Sequence, residues 1–247
     1  MRIATVTLTI SRQAGGLFNS VRGLSKGISH AGVTNKVFSG TDSYTPSDIA
    51  AWNEIEVQTF KTYGPMGVGF TPGISSGLRL YGPDLIHQHS IWTYPSWAVL
   101  RASKKGVPRI ISPRGALDKW ALRHSYSKKR LAMALYERQN ILNASALHAL
   151  CESELNSIRE FGYIGPVAVI PNGTDTHISS SKNDIPAWRA SLEPGAKVLL
   201  YIGRINPKKN LLSLVEGFTQ ATQSSAINSK WHLCIAGWDQ KGHINEV

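Results

Sequence analysis

The chain has 247 residues, a formal net charge of +11 and 42% hydrophobic residues, enough for one large or two modest domains with a packed core. No run of about 18 apolar residues occurs, so no transmembrane helix is expected, and the N-terminus enters a strand pattern rather than a cleavable signal sequence. Cys151 and Cys234 stand alone without CxxC spacing, so they are expected to be small buried hydrophobes of a reducing compartment, with the cytoplasm as location and no structural zinc.

Taken in order, the first half alternates strand and helix, the pattern of an α/β fold with a parallel sheet covered on both faces. Arg2 to Ile10 reads as the first strand, and Gly15-Gly16 follows it. Leu17, Val21, Leu24 and Ile28 then line one face of a helix that stops at Gly32. Val37-Phe38 and Ile55 to Phe60 read as short strands. Tyr63 to Gly82, rich in Gly and Pro, reads mainly as loop. Asp84 to His89 is a strand, Tyr94 to Lys105 a helix and Arg109 to Ser112 a strand. A long helical tract runs to about Leu142. Ala146 to Leu150, Glu152 to Phe161 and Val167 to Ile170 follow as strand, helix and strand.

From Pro171 the texture changes. PNGTDTHISSSKNDIP is polar and turn-forming, which marks residues 174–195 as a linker between a domain over 1–173 and the start of another over 196–247. A short helix near Trp188 and a Pro-Gly turn at 194–195 lead into Lys197 to Phe218. That stretch reads as a buried strand (Val198 to Ile202), a loop with Arg204, Lys208 and Lys209, and a helix whose Leu211, Leu212, Val215 and Phe218 share one face. Free N–H groups of the helix start and cations of the loop together suit an anion site, the alternative being a solvated basic loop between strand and helix. Arg supplies a planar fork for phosphate oxygens and Lys a point charge. Trp231 to Ala236 is a further strand.

Charge is uneven. Arg101 to Arg138 holds eleven Lys or Arg against Asp118 and Glu137. Such a cluster attracts phosphates, on nucleic acid or on an anionic membrane face. Aromatic residues are scattered rather than interleaved with the basic ones, which argues against a nucleic-acid platform. There is no Asp-x-Asp and no His/Cys cluster at metal-ligand spacing, so no bound metal is expected. A GxSxG elbow and a Cys–His nucleophile pair are also missing.

Several stretches resemble family 4 retaining glycosyltransferases, of the type that builds polysaccharide and lipopolysaccharide. GRINPKKN resembles the family's Gly-Arg, four residues, Lys pattern, with Asn210 where the family usually has Gly. Gly15-Gly16 resembles its glycine turn, DLIHQHSIW its strand end with two histidines, ISPRGALDKWAL its Pro-Arg-Gly segment, LHALCESE the last strand of its first domain, and VIPNGTD its Pro-Asn-Gly-x-Asp crossing. The resemblance implies a GT-B fold, two Rossmann-like domains with parallel sheets. It implies a nucleotide-sugar donor held by Gly16, Arg204 and Lys209, and a saccharide or lipid-linked acceptor near Gly15 and Arg114. His89, at the strand's C-terminal end, becomes the candidate catalytic contact to a sugar hydroxyl. His87, on the other side of the ladder from its sequence neighbours, reads as structural, and Glu154 as a helix N-terminal acid.

On this resemblance the reaction is sugar transfer from a nucleoside diphosphate to a hydroxyl, without a cofactor or metal, by a cytoplasmic protein peripheral to the inner membrane face. The family's second domain continues to a glutamate pair that has no counterpart here. A fragment with an incomplete donor half, inactive as given, is therefore expected. A Rossmann oxidoreductase would need GxGxxG where the sequence has QAGGLF. A GT-B sugar-nucleotide epimerase is the enzyme alternative, and a basic nucleic-acid-binding protein the non-enzyme one.

Overall fold

The computed structural model describes residues 1–103, 106–174, 186–224, 230–239 and 242–247. They divide into two compact units, Met1–Thr176 and His177–Val247. The first half of the expected linker, residues 175–185, lies outside the described residues.

Unit 1 carries a seven-stranded parallel sheet in the order β3-β2-β1-β4-β5-β6-β7. The strands are β1 (Arg2–Thr9), β2 (Thr34–Gly40), β3 (Glu56–Phe60), β4 (Leu85–His89), β5 (Arg109–Ser112), β6 (Ala146–Ala149) and β7 (Val167–Val169). The order reverses between β1 and β4, the switch point at which open α/β sheets form their binding crevice. Consecutive strand residues face opposite sides, so Val37 and Phe38 serve different cores. Phe38, with Ala4, Val6 and Ile86, packs on α3 (Gly73–Tyr81) and α4 (Tyr94–Ser103) through Ile74, Leu78, Ala98 and Val99. Val37 packs with Val21 of α1 (Gly16–His30), Trp52 and Ile55; the short α2 (Thr45–Asp48) leads towards Trp52. A third cluster joins Ile111 and Leu147 to Ile141 of α7 (Arg138–Leu142) and Ile158 of α8 (Glu152–Glu160). Each such fully buried side chain contributes about 1.5–3 kcal/mol.

Several expectations change. Residues 63–82 hold a helix that was not expected, α3, after a loop over 63–72. Its Gly73 and Gly77 mark close packing rather than turns. A Cβ on Gly73 would stand 2.4 Å from Phe60 Cδ1, and one on Gly77 2.5 Å from Phe60 Cζ. The long helical tract is also broken. It runs as α5 (Lys119–Arg123), Ser125 in the left-handed region (φ 55°), α6 (Tyr126–Ala132), a π-helical turn over Met133–Glu137, and α7. Finally, Cys151 is exposed and Cys234 half-buried, since Cys151 sits at the N-cap of α8 rather than inside a strand.

The basic segment is not one surface. The guanidinium of Arg109 is turned inward, donating to Ser103 Oγ and to the carbonyls of Gln139 and Asn140. Lys104 and Lys105 lie outside the described residues. Lys119, Arg123, Lys128, Arg130 and Arg138 are exposed, and interspersed with them are exposed Trp120, Tyr126, Leu131 and Leu135.

Unit 2 holds a parallel pair, β8 (Lys197–Ile202) and β9 (Trp231–Ala236), in register from Lys197↔Trp231 to Ile202↔Ala236. Helix α9 (Ala187–Ala190), the expected short helix near Trp188, precedes β8, and α10 (Leu211–Gln223) follows it. Contrary to expectation β8 is not buried: Leu199, Leu200 and Ile202 are all exposed, because among the described residues its only strand partner is β9.

The Gly73 contact gives a sharp test. Gly73→Ala must displace Phe60 near its Cβ and should lower stability by about 1–3 kcal/mol in urea unfolding. Gly27→Ala, in open space on α1, should raise it by up to about 1 kcal/mol through helix propensity.

Candidate functional site

At the C-terminal end of β4 and β5 the chain concentrates polar side chains that are buried. Period-two alternation puts His87 and His89 on one face of β4, with ring centroids 4.2 Å apart. His87 is therefore beside His89, not across the ladder from it. Its Nε2 meets Ser112 Oγ at 2.9 Å, Ser112 Oγ meets His148 Nδ1 at 2.9 Å, and His148 Nε2 meets the Ile170 carbonyl at 2.8 Å. The carbonyl only accepts, so His148 Nε2 carries its hydrogen, and with that hydrogen as the ring's one proton Nδ1 accepts from the Ser112 hydroxyl. Ser112 then accepts from His87 Nε2–H. Burial, then His148 and Arg114, lower the His87 pKa to about 3, so its ring is neutral.

His89 is fixed from the other side. Arg114, from the loop after β5, brings Nη2 to 3.1 Å from His89 Nδ1 and donates from Nη1 to Asn172 Oδ1 at 2.6 Å. Guanidinium N–H groups only donate, so His89 Nδ1 accepts and the hydrogen sits on Nε2. Burial, then the nearby His87 and Arg114, push the His89 pKa well below its ordinary value. The result is a neutral imidazole whose buried Nε2–H has no hydrogen-bond partner among the described residues. A buried donor left unmade costs about 1–3 kcal/mol, and a ligand hydroxyl or carboxylate oxygen would satisfy it. Such a group offers a directed hydrogen bond rather than proton transfer.

Two carboxylates shape the loops around it. Glu154, near the start of α8, accepts the N–H of Gly115 (2.7 Å) and of Leu150 (2.8 Å). It thereby ties the Pro-Arg-Gly loop to the end of β6, with Arg114 at φ 58° and Gly115 at φ 74°. Buried Glu137, on the π-helical turn, accepts the N–H of Trp92 at 2.6 Å and Asn140 Nδ2–H at 3.0 Å. Burial raises its pKa, with the Asn140 and Trp92 hydrogen bonds opposing. Ser90 (φ 66°) and Trp92 (φ 77°) share the left-handed region with Arg114. Each non-glycine residue held there costs about 1–3 kcal/mol, and such strain collects at functional sites. The helical tract and the acid of α8 gave no sign of these roles in sequence; only a glutamate opposite a free backbone N–H discloses them.

Gly15 and Gly16 stand where β1 gives way to α1. Gly15 has φ 59° and ψ −128°, a conformation open essentially to glycine alone, while Gly16 has open space around it. The turn before them is clamped. Thr9 and Ser11 hydroxyls donate to Asp42 (2.5 and 2.6 Å). Arg12 pairs with Asp48 at 2.6 Å, and its hydrogen bonds bring the Asp48 pKa down to about 2.

In unit 2, Arg204 and Lys209 lie in the exposed loop between β8 and α10. Tyr201 Oη–H donates to the Arg204 carbonyl at 2.9 Å, and Asn206 Oδ1 accepts the Lys208 N–H at 2.9 Å. Asn210 has φ 51° and ψ 46° just before α10. Gly and Asn are the residues that adopt this conformation most readily, which explains Asn in place of the expected Gly. Gly237 admits no side chain, since a Cβ there would stand 1.6 Å from the Gly203 carbonyl. Among the described residues no group of three or more His, Cys, Asp or Glu is arranged to hold a metal.

A glycosyl transferase 4-like domain profile matches residues 15–173. No curated protein sequence matches. Among solved structures, the chain is similar to sucrose-phosphate synthase from Thermosynechococcus elongatus, with TM-score 0.70 and 17% identity over 98% of this chain. It spans 63% of that protein. A glycosyltransferase from Rickettsia africae gives 0.62 and 13%, covering 99% of this chain and 70% of that one. The Methanocaldococcus jannaschii UDP-GlcNAc 2-epimerase in complex with UDP-GlcNAc and UDP gives 0.59 and 12%, covering 100% and 68%. At these identities the likeness is one of fold, the Rossmann-like architecture of GT-B proteins.

The neutral histidines make stability depend on pH. Their folded pKa values lie below the ordinary 6.5, so below that pH the unfolded chain takes up protons that the fold excludes. Stability should be full above pH 6.5 and fall on acidification towards about 3, by up to about 1.4 kcal/mol per pH unit for each histidine. Urea unfolding at pH 7.5 and 5 measures this. His87→Asn, which keeps a donor for Ser112, should roughly halve the slope.

Proposed function

The chain belongs to the glycosyl transferase 4-like domain family, and on that premise we propose that it transfers a sugar from a nucleoside-diphosphate donor to a hydroxyl acceptor. The retaining, family 4 type is the form proposed, in synthesis of cell-surface polysaccharide or lipopolysaccharide. The observation that carries the reading is the neutral His89 at the end of β4, whose buried Nε2–H has no partner among the described residues. A donor of this kind recognises a sugar hydroxyl without adding charge.

In this reading Arg114 acts through His89 as a positioning residue, and Glu154 holds the loop that presents Arg114. Gly15 and Gly16 let a ligand approach the backbone closely, the former on the acceptor side and the latter towards the donor. Arg204, Lys209 and the start of α10 neutralise the departing diphosphate, an electrostatic role that needs no metal or cofactor. The alternative is epimerisation of a nucleotide sugar, which the likeness to UDP-GlcNAc 2-epimerase favours. Incubation with a panel of nucleoside-diphosphate sugars separates the two: transfer lengthens an acceptor, whereas epimerisation changes the donor with none present.

No helix among the described residues is long and apolar enough to cross a membrane. The reading adds peripheral attachment from the cytoplasmic side. Exposed Trp120, Tyr126, Leu131 and Leu135, set among Arg123, Lys128, Arg130 and Arg138, support it.

Two outcomes are expected. Arg204→Ala and Lys209→Ala should each reduce transfer by about 10²-fold or more in an enzyme that turns over, because leaving-group charge is greatest in the transition state. Lys208→Ala should cost far less, and equal mild effects at all three would remove the diphosphate assignment. In sedimentation, the protein should follow vesicles containing acidic lipid, release as salt rises, and ignore neutral ones.

A further inference from the structure

The loops after β4 and β5, the α5–α6 segment and α8 border a cavity of about 510 Å3 in unit 1, within the range of about 300–1,000 Å3 usual for small-molecule sites. Leu117, Leu122, Met133 and Phe161 give it apolar walls. Its charged residues are mainly cationic: Lys119, Lys129 and Arg130 against Glu160 alone. Glu160 is already engaged by Lys119 at 3.2 Å. Lys129 and Arg130 have no carboxylate partner among the described residues.

Lys129 is the unusual member. It is half-buried, its Nζ lies 5.7 Å from the centroid of Trp92, and it donates to the Ala121 carbonyl. Burial lowers its pKa, the response of an ammonium that has lost water without gaining a counter-ion. An anion in the cavity would offset that loss. Tyr126 lines the cavity yet is 63% exposed, so the apolar walls continue onto the exposed Trp120 and Leu131 of the same segment. A polar metabolite would leave these walls unsatisfied, and a plain hydrocarbon would leave the cations so.

We propose that this cavity binds an amphiphile with one hydrocarbon chain and a phosphate head, the chain among Leu117, Leu122, Met133 and Phe161 and the phosphate at Lys129 and Arg130. In a sugar transferase such a ligand is the lipid end of an acceptor or carrier. That consequence rests on the transferase reading, whereas the binding does not.

Calorimetric titration of monododecyl phosphate, below its micellar concentration, into the full chain tests the site. One saturable site is expected, at least about tenfold tighter than for dodecanol or inorganic phosphate. Arg130→Ala should weaken it roughly tenfold and reduce its salt dependence. Leu122→Trp, which fills the cavity, should abolish it. If that variant loses the wild-type circular dichroism, Ser157→Phe on the α8 wall takes its place. Inorganic phosphate binding equally well would reduce the site to a basic surface, and dodecanol binding equally well would reduce it to an apolar patch. Either result overturns the proposal, as does unchanged binding in a folded, cavity-filling variant. Saturable binding without any sugar transfer would leave this site standing and remove the transferase reading alone.

Discussion

A backbone carbonyl can only accept a hydrogen bond, and at the C-terminal edge of unit 1 the carbonyl of Ile170 sets the direction of a whole chain of protons. His148 donates to it, Ser112 to His148, and His87 to Ser112. Burial makes charge on His87 costly, so that ring stays neutral and its tautomer is determined by its partners rather than by pH. Arg114 imposes the same logic on His89 from the opposite side. The outcome is a directed, uncharged donor at the end of β4, next to the point where the strand order reverses.

Holding Arg114 there requires backbone that ordinary residues avoid. Ser90, Trp92 and Arg114 all take positive φ, and in each neighbourhood a buried carboxylate accepts a main-chain N–H: Glu137 from Trp92, Glu154 from Gly115. A charge-assisted bond to a backbone donor is among the stronger polar contacts available, with a net worth of about 1.5–3 kcal/mol. It is of the same order as the strain it holds. The π-helical turn that carries Glu137 also interrupts the basic helical tract, so the cavity beside α5 and α6 and the loop after β4 share one supporting element.

Unit 2 works differently. Its loop between β8 and α10 relies on local devices: an Asn206 cap, a left-handed Asn210 and the Gly203–Gly237 approach. The first two need no distant partner, the third joins the ends of paired strands, and the cations themselves stay exposed to solvent.

That contrast explains what could be read from the sequence. The succession of strands in unit 1, the helices α1, α4 and α8, the glycine turn at Gly15, the basic loop after β8 and the candidacy of His89 and Arg114 all follow from short-range pattern or motif, because periodicity and turn chemistry are properties of neighbouring residues. Asn210 stood out in the sequence only as a departure from the Gly usual in the resembling family; the structure shows the left-handed turn that accommodates either residue. Tertiary structure alone decided that Gly73 and Gly77 pack a helix on Phe60 rather than form a loop, that Arg109 turns inward, and that β8 is exposed. It alone joined Arg114 to His89 and Asn172 and brought Glu154 to the N–H of Gly115. Each of those depends on which group fills a space or satisfies a buried donor across dozens of residues, and a buried polar atom takes whatever partner the fold brings within about 3 Å.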